Sequence, residues 1–88
     1  MGQLKVLIVD DEENVREAIR QLVGLYCPDA VVVAEAESVS AAVKAINTDQ
    51  PDIVLLDINI KDGTGFDVLK NFPVPKFKVV FITAYQEY

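Results

Sequence analysis

The chain carries at its centre the run Ile53-Val54-Leu55-Leu56-Asp57, in which four apolar residues are followed by a single carboxylate. A short run that is apolar on both faces is typical of a central strand in a parallel sheet. Two further apolar runs also end at a polar residue: Leu4 to Val9 is followed by Asp10, and Val79 to Ile82 is followed by Thr83. Each of these predicted strands therefore ends at a polar residue that is able to do chemistry.

Amphipathic stretches separate the apolar runs and predict helices. From Glu12 to about Tyr26, apolar side chains share one helical face, namely Val15, Ile19, Leu22, Val23 and Tyr26. Glu12 and Arg16 are one helical turn apart and are predicted to form an ion pair. Val31 to Val33 predicts another strand, and Ser38 is the expected N-cap of a second helix.

The segment after Asp57 is predicted to be a loop followed by a short helix. Gly63 and Gly65 lie in the loop, and the helix carries Phe66, Leu69 and Phe72 before prolines end it. The resulting order is β-α-β-α-β-α-β, which predicts an α/β domain with a parallel sheet and right-handed crossovers. A ligand site is expected at the edge where the carboxyl ends of the strands lie.

Composition narrows the range of functions. The 88 residues carry a net charge of −6, so no basic surface and no direct contact with nucleic acid are expected. The chain has no histidine, which excludes a histidine-ligated metal and a histidine base. Cys27 is the single cysteine and no apolar run approaches membrane-spanning length, which predicts a cytoplasmic protein without membrane contact.

The candidate site consists of the residues that end three strands of one sheet, which are Asp10, Asp11, Asp57 and Thr83. Carboxylates at close range repel one another, and a divalent cation would remove that conflict. Mg²⁺ is expected because it keeps water and a substrate phosphate among its ligands. An aspartate could then attack phosphorus and form an aspartyl phosphate. Taken singly, each acid could instead be a helix cap or a turn residue, and Thr83 an ordinary strand residue.

Other metal- and phosphate-binding motifs are incomplete in this chain. The segment from Asp57 begins like an EF-hand loop, but Asp62 stands at the glycine position and Val68 at the glutamate position. The sequence contains no Walker loop and no dinucleotide fingerprint after the first strand.

Three segments resemble the receiver (CheY-like) domain of two-component response regulators. They are Leu7-Ile8-Val9-Asp10-Asp11-Glu12, the stretch from Leu55 to Phe66, and Val80-Phe81-Ile82-Thr83-Ala84. The resemblance covers essentially the whole chain and implies a doubly wound, flavodoxin-like fold. The wording from Asp62 to Asp67 and the ending from Thr83 to Tyr88 look most like regulators with a LytTR-type DNA-binding output.

The resemblance also implies a role for each candidate residue. Asp57 would be the phosphoacceptor, with a sensor histidine kinase as the donor. Asp11 would bind Mg²⁺ directly, Asp10 mostly through water, and Asn59 through its backbone carbonyl. Thr83 would swing toward the phosphoryl group and signal its presence. The chain would therefore act as a signalling module rather than as an enzyme.

The chain departs from the family pattern in two places. Lys61 stands where the family usually has proline, and a looser loop is expected there. The sequence stops at Tyr88, before the family's fifth strand and last helix, so a single truncated receiver domain over residues 1–88 with strand order 2-1-3-4 is expected.

Two consequences follow from this second departure. The family's lysine on the fifth strand is missing, and loss of such an electrostatic contact typically costs about 2.7–4 kcal/mol in the transition state. Slow or absent labelling by acetyl phosphate is therefore expected. The fourth strand, Lys78 to Ile82, would be an exposed edge, and the helix face around Ile19, Leu22 and Val23 would be uncovered. A homo-oligomer through either surface is expected.

Two other readings of the sequence stay open. One is an interaction or oligomerisation module that has the receiver fold and is not phosphorylated. The other is an Mg²⁺-dependent phosphatase, against which stands the lack of a general base other than the carboxylates.

Overall fold

The computed structural model describes residues 3–82 as a four-stranded parallel sheet with helices packed against it. The elements follow one another in the order β1 (Leu4–Val9), α1 (Glu13–Tyr26), β2 (Ala30–Ala36), α2 (Val39–Asp49), β3 (Ile53–Leu56), β4 (Asn59–Ile60), β5 (Gly63–Thr64), α3 (Gly65–Leu69) and β6 (Lys78–Phe81). The main sheet has the strand order β2-β1-β3-β6, and its neighbouring strands are parallel. This arrangement confirms the predicted α/β fold and the 2-1-3-4 order.

The hydrophobic core lies mainly between the sheet and the pair of helices α2 and α3. Alternate residues of the two central strands point into it, so Leu7, Val54 and Leu56 are fully buried. The helices and the β4–β5 hairpin contribute Ala42, Ile46, Ile60 and Val68. Burial of one such large apolar side chain stabilises a fold by roughly 1.5–3 kcal/mol, so this cluster holds β1 and β3 rigidly side by side.

Helix α1 packs on the opposite face of the sheet, toward which Val6 and Ile8 point. Val23 is buried there and Val15 and Ile19 are half-buried, whereas Leu22 and Tyr26 are 54% and 75% exposed. Leu22 is thus exposed, as expected for the uncovered face, but Val23, which was expected on the same face, is buried. None of the helices within residues 3–82 is long and apolar enough to cross a bilayer.

The predicted pair of Glu12 and Arg16 does not form. Arg16 instead donates from Nε to Glu35 at 3.2 Å, and its Nη1 donates to the Asp10 carbonyl oxygen at 2.7 Å. Two acceptors from strand ends therefore replace the local partner, because an ion pair within an exposed helix contributes only about 0.2–0.5 kcal/mol. Ser38 caps α2 as predicted, since its side chain accepts from the Ala41 amide at 3.1 Å.

The segment after β3 is more ordered than the predicted loop. Strands β4 and β5 form a short antiparallel hairpin, and α3 begins directly after it. Thr64 and Asp67 cap that helix reciprocally. Gly65 and Val68 are the buried residues of α3, whereas Phe66 is 54% exposed and packs against Phe81 with ring centroids 5.2 Å apart.

Candidate metal centre

The candidate site lies where β1 and β3 end side by side. The two strands pair in register at Val9 and Leu56, so Asp10 and Asp57 each follow one member of a matched pair. The Asp57 amide donates to the Val9 carbonyl at 3.0 Å, and the Asp10 amide donates to the Ala36 carbonyl of β2 at 3.0 Å. The sheet ladder therefore continues into the acidic residues and fixes their backbone positions.

Three carboxylates meet at this edge. Asp10, Asp11 and Asp57 each offer an oxygen atom, and these atoms all lie within 4.8 Å of one another. Asp10 is only 2% exposed and accepts a hydrogen bond from the Glu12 amide at 2.9 Å, Asp57 is half-buried, and Asp11 is exposed. The cluster is therefore buried on the side of Asp10 and open to solvent on the side of Asp11.

The electrostatics of the cluster favour a bound cation. Burial and the neighbouring charge of Asp10 raise the pKa of Asp57, although the amides of Ile58 and Asn59 oppose this rise. A hard divalent ion would offset the repulsion between the carboxylates and prefers oxygen ligands. The donor set, its close spacing and its open side fit Mg²⁺ with room for water and a phosphate.

The remaining predicted site residues are placed as follows. Asn59 begins β4, two residues after Asp57, and its side chain is exposed. The Ile82 amide donates to the Leu56 carbonyl at 2.9 Å, so the end of β6 also reaches this edge. Thr83, the predicted switch hydroxyl, lies outside the described residues.

Two residues that support the site were missed by the sequence analysis. Arg16 holds the Asp10 carbonyl through its guanidinium group, as described above. Gly65 lies so close to the end of β3 that a Cβ atom there would be 2.6 Å from the Asp57 carbonyl oxygen and 2.9 Å from Leu56 Cγ. The sequence signal for Gly65 was only a glycine in a loop, and Arg16 had a more obvious local partner.

Comparison with known proteins identifies the family. Residues 6–88 match the response regulator receiver domain. The chain belongs to this family. Among curated relatives, the sensory transduction protein LytT of Enterococcus faecalis is 41% identical over 91 residues, which agrees with the predicted likeness to LytTR-type regulators. An uncharacterized response regulatory protein of Vibrio cholerae is 39% identical over 84 residues.

The alignments cover nearly all of this chain but only part of each relative. The alignments cover 97% and 93% of this chain, but only 36% and 32% of the relatives. The chain thus spans about a third of the length of the curated relatives that it matches.

Solved receiver structures share the fold. A DNA-binding response regulator of the LuxR family from Staphylococcus aureus superposes with a TM-score of 0.84 at 28% identity, over 96% of this chain and 71% of that one. The MaeR response regulator bound to beryllium trifluoride gives 0.80 at 30% identity, over 97% and 70% of the two chains. These likenesses confirm the doubly wound receiver architecture.

The raised pKa of Asp57 predicts a specific pH dependence in the metal-free receiver. A carboxyl group whose folded pKa exceeds its ordinary value of 3.8 stabilises the fold below that value, and this contribution is lost as the pH rises through the folded pKa. Asp10→Asn removes the charge but keeps an oxygen that can accept from the Glu12 amide. We expect the pKa of Asp57 to fall in this variant, because the charge of Asp10 is the second of the two main causes that raise it, after burial.

A ¹³C NMR titration of the Asp57 carboxyl group in the absence of divalent metal measures this change. Glu13→Gln serves as a control that removes one nearby charge from the start of α1. An Asp57 pKa that is unchanged by Asp10→Asn, or lowered equally by Glu13→Gln, would contradict a direct interaction between the two aspartates.

Proposed function

We propose that this receiver accepts a phosphoryl group on Asp57 from a phosphohistidine of a sensor histidine kinase. A carboxylate oxygen of Asp57 attacks phosphorus, the bond from phosphorus to the histidine nitrogen breaks, and an acyl phosphate forms on Asp57. The observation that carries this proposal is the approach of the Asp10, Asp11 and Asp57 oxygens to within 4.8 Å of one another at the joint end of β1 and β3.

The same residues would hold Mg²⁺. Asp11 and Asp57 would bind it directly, Asp10 mostly through water, and Asn59 through its backbone carbonyl. When bound, the ion would neutralise charge on the transferring phosphoryl group. The Thr83 hydroxyl would bond to the phosphoryl group and report its presence, a role that the family sequence pattern alone supports.

The protein's own contribution is to position the nucleophile. The Asp57 amide is tied to β1, and Gly65 lets α3 begin directly against the Asp57 carbonyl. Arg16 holds the Asp10 backbone from behind. Because Asp57 is only half-buried, its carboxylate is open to an incoming phosphodonor, while its backbone amide is held by the Val9 carbonyl.

Binding of beryllium trifluoride in the presence of Mg²⁺ tests the proposal, because this group stands in for a phosphoryl group on the acceptor. We expect saturable binding that requires Mg²⁺ and is abolished by Asp57→Ala. Asp29→Ala is the matched control. Asp29 is exposed, and it lies between α1 and β2, outside the acidic cluster. Binding that persists in Asp57→Ala, or that occurs without Mg²⁺, would refute the proposal.

The rate of phosphorylation is a separate part of the proposal. Residues 1–88 contain no lysine after Lys78, so the family's phosphoryl-contacting lysine is not among them. A polypeptide of these residues is expected to be labelled by acetyl phosphate more slowly than a receiver that has this lysine. Labelling at an equal rate would contradict this expectation.

We also propose self-association of this polypeptide. Within residues 3–82, β6 pairs only with β3, and Val80 and Phe81 are 47% and 41% exposed. The exposed Leu22 offers a second apolar surface on α1. An unpaired strand edge with apolar side chains favours pairing with a second copy. Sedimentation equilibrium should show a homo-oligomer at micromolar concentration, and a monomer would argue against both surfaces.

The chain would act as a regulatory module that does not contact nucleic acid directly and does not turn over a substrate. The net charge of −6 opposes binding to a polyanion. Repeated hydrolysis of a phosphate ester by the isolated chain would instead support the phosphatase alternative. Self-association without any binding of Mg²⁺ or beryllium trifluoride would support the alternative of an interaction module that is not phosphorylated.

A further inference from the structure

The turn of the β4–β5 hairpin is attached to the start of α2. One carboxylate oxygen of Asp62, Oδ1, accepts a hydrogen bond from the Val39 amide at 2.5 Å, and Oδ2 accepts from the Ser40 amide at 3.4 Å. Amides in the first turn of a helix have no partner within the helix, and a negative charge is favoured beside them. These bonds also lower the pKa of Asp62, with the Val39 amide as the main cause.

A second contact joins the same two parts of the chain. Lys61, which stands beside Asp62 in the turn, forms an ion pair with Glu37 at 3.1 Å, just before α2. Both side chains are more than half exposed, so this pair alone contributes little. Together with Asp62, however, it places both residues of the turn against the segment that leads into α2.

The start of α2 does not depend on Asp62 as its only acceptor. Ser38 is already the N-cap and accepts from the Ala41 amide. The carboxylate of Asp62 therefore adds something that a local cap cannot provide, which is a link between the helix and a hairpin 22 or 23 residues further along the chain.

The hairpin is short, so the position of its turn controls the position of its first strand. Asn59 of β4 pairs with Thr64 of β5, and only Ile60 and the turn separate Asn59 from Asp62. Ile60 is buried in the core, and the Gly65 amide donates to the Ile58 carbonyl at 2.7 Å. These contacts hold the base of the hairpin, whereas Asp62 holds its tip.

We infer that Asp62 is a positioning residue for the acidic site, which it serves by tying the hairpin that carries Asn59 to the start of α2. This inference rests on the proposed Mg²⁺ site, because its effect is exerted on the Asn59 backbone carbonyl. Asp62 is not one of the three carboxylates in the cluster, so it would act without contacting the ion. Its role is to keep the carbonyl of Asn59 from moving away from the three carboxylates.

Calorimetric titration of the 88-residue chain with Mg²⁺ tests the inference by comparing the wild type with three variants. Asp62→Ala removes the link to α2, and Ser38→Ala removes the local cap of the same helix while leaving the link in place. Asp62→Asn removes the charge but keeps an oxygen that can accept from the Val39 amide. The wild type is the reference, and thermal unfolding reports whether each variant is folded.

We expect Asp62→Ala to raise the Kd for Mg²⁺ by about tenfold, the size of effect that supporting residues around a metal site commonly show. Ser38→Ala should lower Tm but leave the Kd near the wild-type value. Asp62→Asn should restore most of the affinity. In the metal-free chain, hydrogen exchange of the Gly65 amide should be faster in Asp62→Ala than in Ser38→Ala.

Each contrary outcome identifies a different failure. Equal weakening by Asp62→Ala and Ser38→Ala would assign the effect to helix stability and overturn the inference. Equal weakening by Asp62→Ala and Asp62→Asn would assign it to charge alone and also overturn it, as would an unchanged Kd in Asp62→Ala. A wild-type chain that does not bind Mg²⁺ would instead refute the proposed function itself, and the inference with it.

Discussion

Replacement of Asp11 by asparagine is expected to weaken Mg²⁺ binding by more than about 100-fold, beyond the range that residues around the ligands typically reach. Asp11 supplies one of the three oxygens that lie within 4.8 Å of one another, and it is the exposed member of the cluster. An amide oxygen in its place carries no net charge and binds a hard cation less strongly than a carboxylate does. Isothermal titration calorimetry measures the loss directly.

The control for this experiment is Glu13→Gln, which removes the same charge two residues further along the chain. Glu13 lies in the first turn of α1 and is exposed. If the acidic chain attracted Mg²⁺ only through its overall charge, the two variants would weaken binding equally, and both effects would fade with added salt. A large loss in Asp11→Asn beside a small loss in Glu13→Gln is the expected result.

Replacement of Gly65 by alanine is expected to lower the free energy of unfolding by about 1–3 kcal/mol, as an overpacked site typically does. The added Cβ would meet the Asp57 carbonyl oxygen at 2.6 Å, and the backbone of Asp57 cannot move away cheaply because its amide is bonded to the Val9 carbonyl of β1. Either α3 or the backbone at Asp57 must shift. We therefore expect Mg²⁺ binding to weaken together with stability.

The matched control is the glycine in α1. Nothing lies within 4 Å of a Cβ built at Gly24, so Gly24→Ala should raise the free energy of unfolding by roughly 0.5–1 kcal/mol through its helix propensity. Urea unfolding of the two variants, followed by circular dichroism, gives both values. Equal stability of the two alanine variants would show that the close approach of α3 to Asp57 does not constrain this part of the fold.

The parts of the fold that were predictable from sequence depend on local patterns. Apolar runs ending in Asp10 and Asp57 predicted two central strands, and parallel strands must end at a common edge. The convergence of the acidic residues follows from that topology together with their positions at the strand ends. Ser38 was also predictable, since a cap depends on residues within one helical turn.

The features that sequence reasoning missed depend on contacts beyond a single helical turn. Arg16 bonds to Glu35 and the Asp10 carbonyl, and Asp62 bonds to amides of α2. No periodicity encodes such pairs, because they arise only once the strands and helices have packed. The burial of Val23 has the same origin, since the amphipathic pattern of α1 cannot show how much of the sheet the helix covers.

The role of Asp62 shows this limit most clearly. The sequence shows Asp62 only as a residue that breaks an EF-hand pattern and begins the stretch that resembles LytTR-type regulators. In the structure its carboxylate joins the hairpin that follows Asp57 to the start of α2, a helix that precedes it in the chain. The inferred role of this turn residue thus depends on a contact that its neighbours in the sequence do not predict.

Paramagnetic line broadening by Mn²⁺ tests the central claim most directly, because Mn²⁺ accepts the same oxygen ligands as Mg²⁺. We predict one saturable site at which the amide signals of Asp11 and Ile58 broaden together, while that of Asp52 at the far end of β3 stays sharp. Added Mg²⁺ should reverse the broadening. Broadening that is spread over the exposed acids of the chain, or that affects the ends of β1 and β3 at different Mn²⁺ concentrations, would contradict a shared cation site.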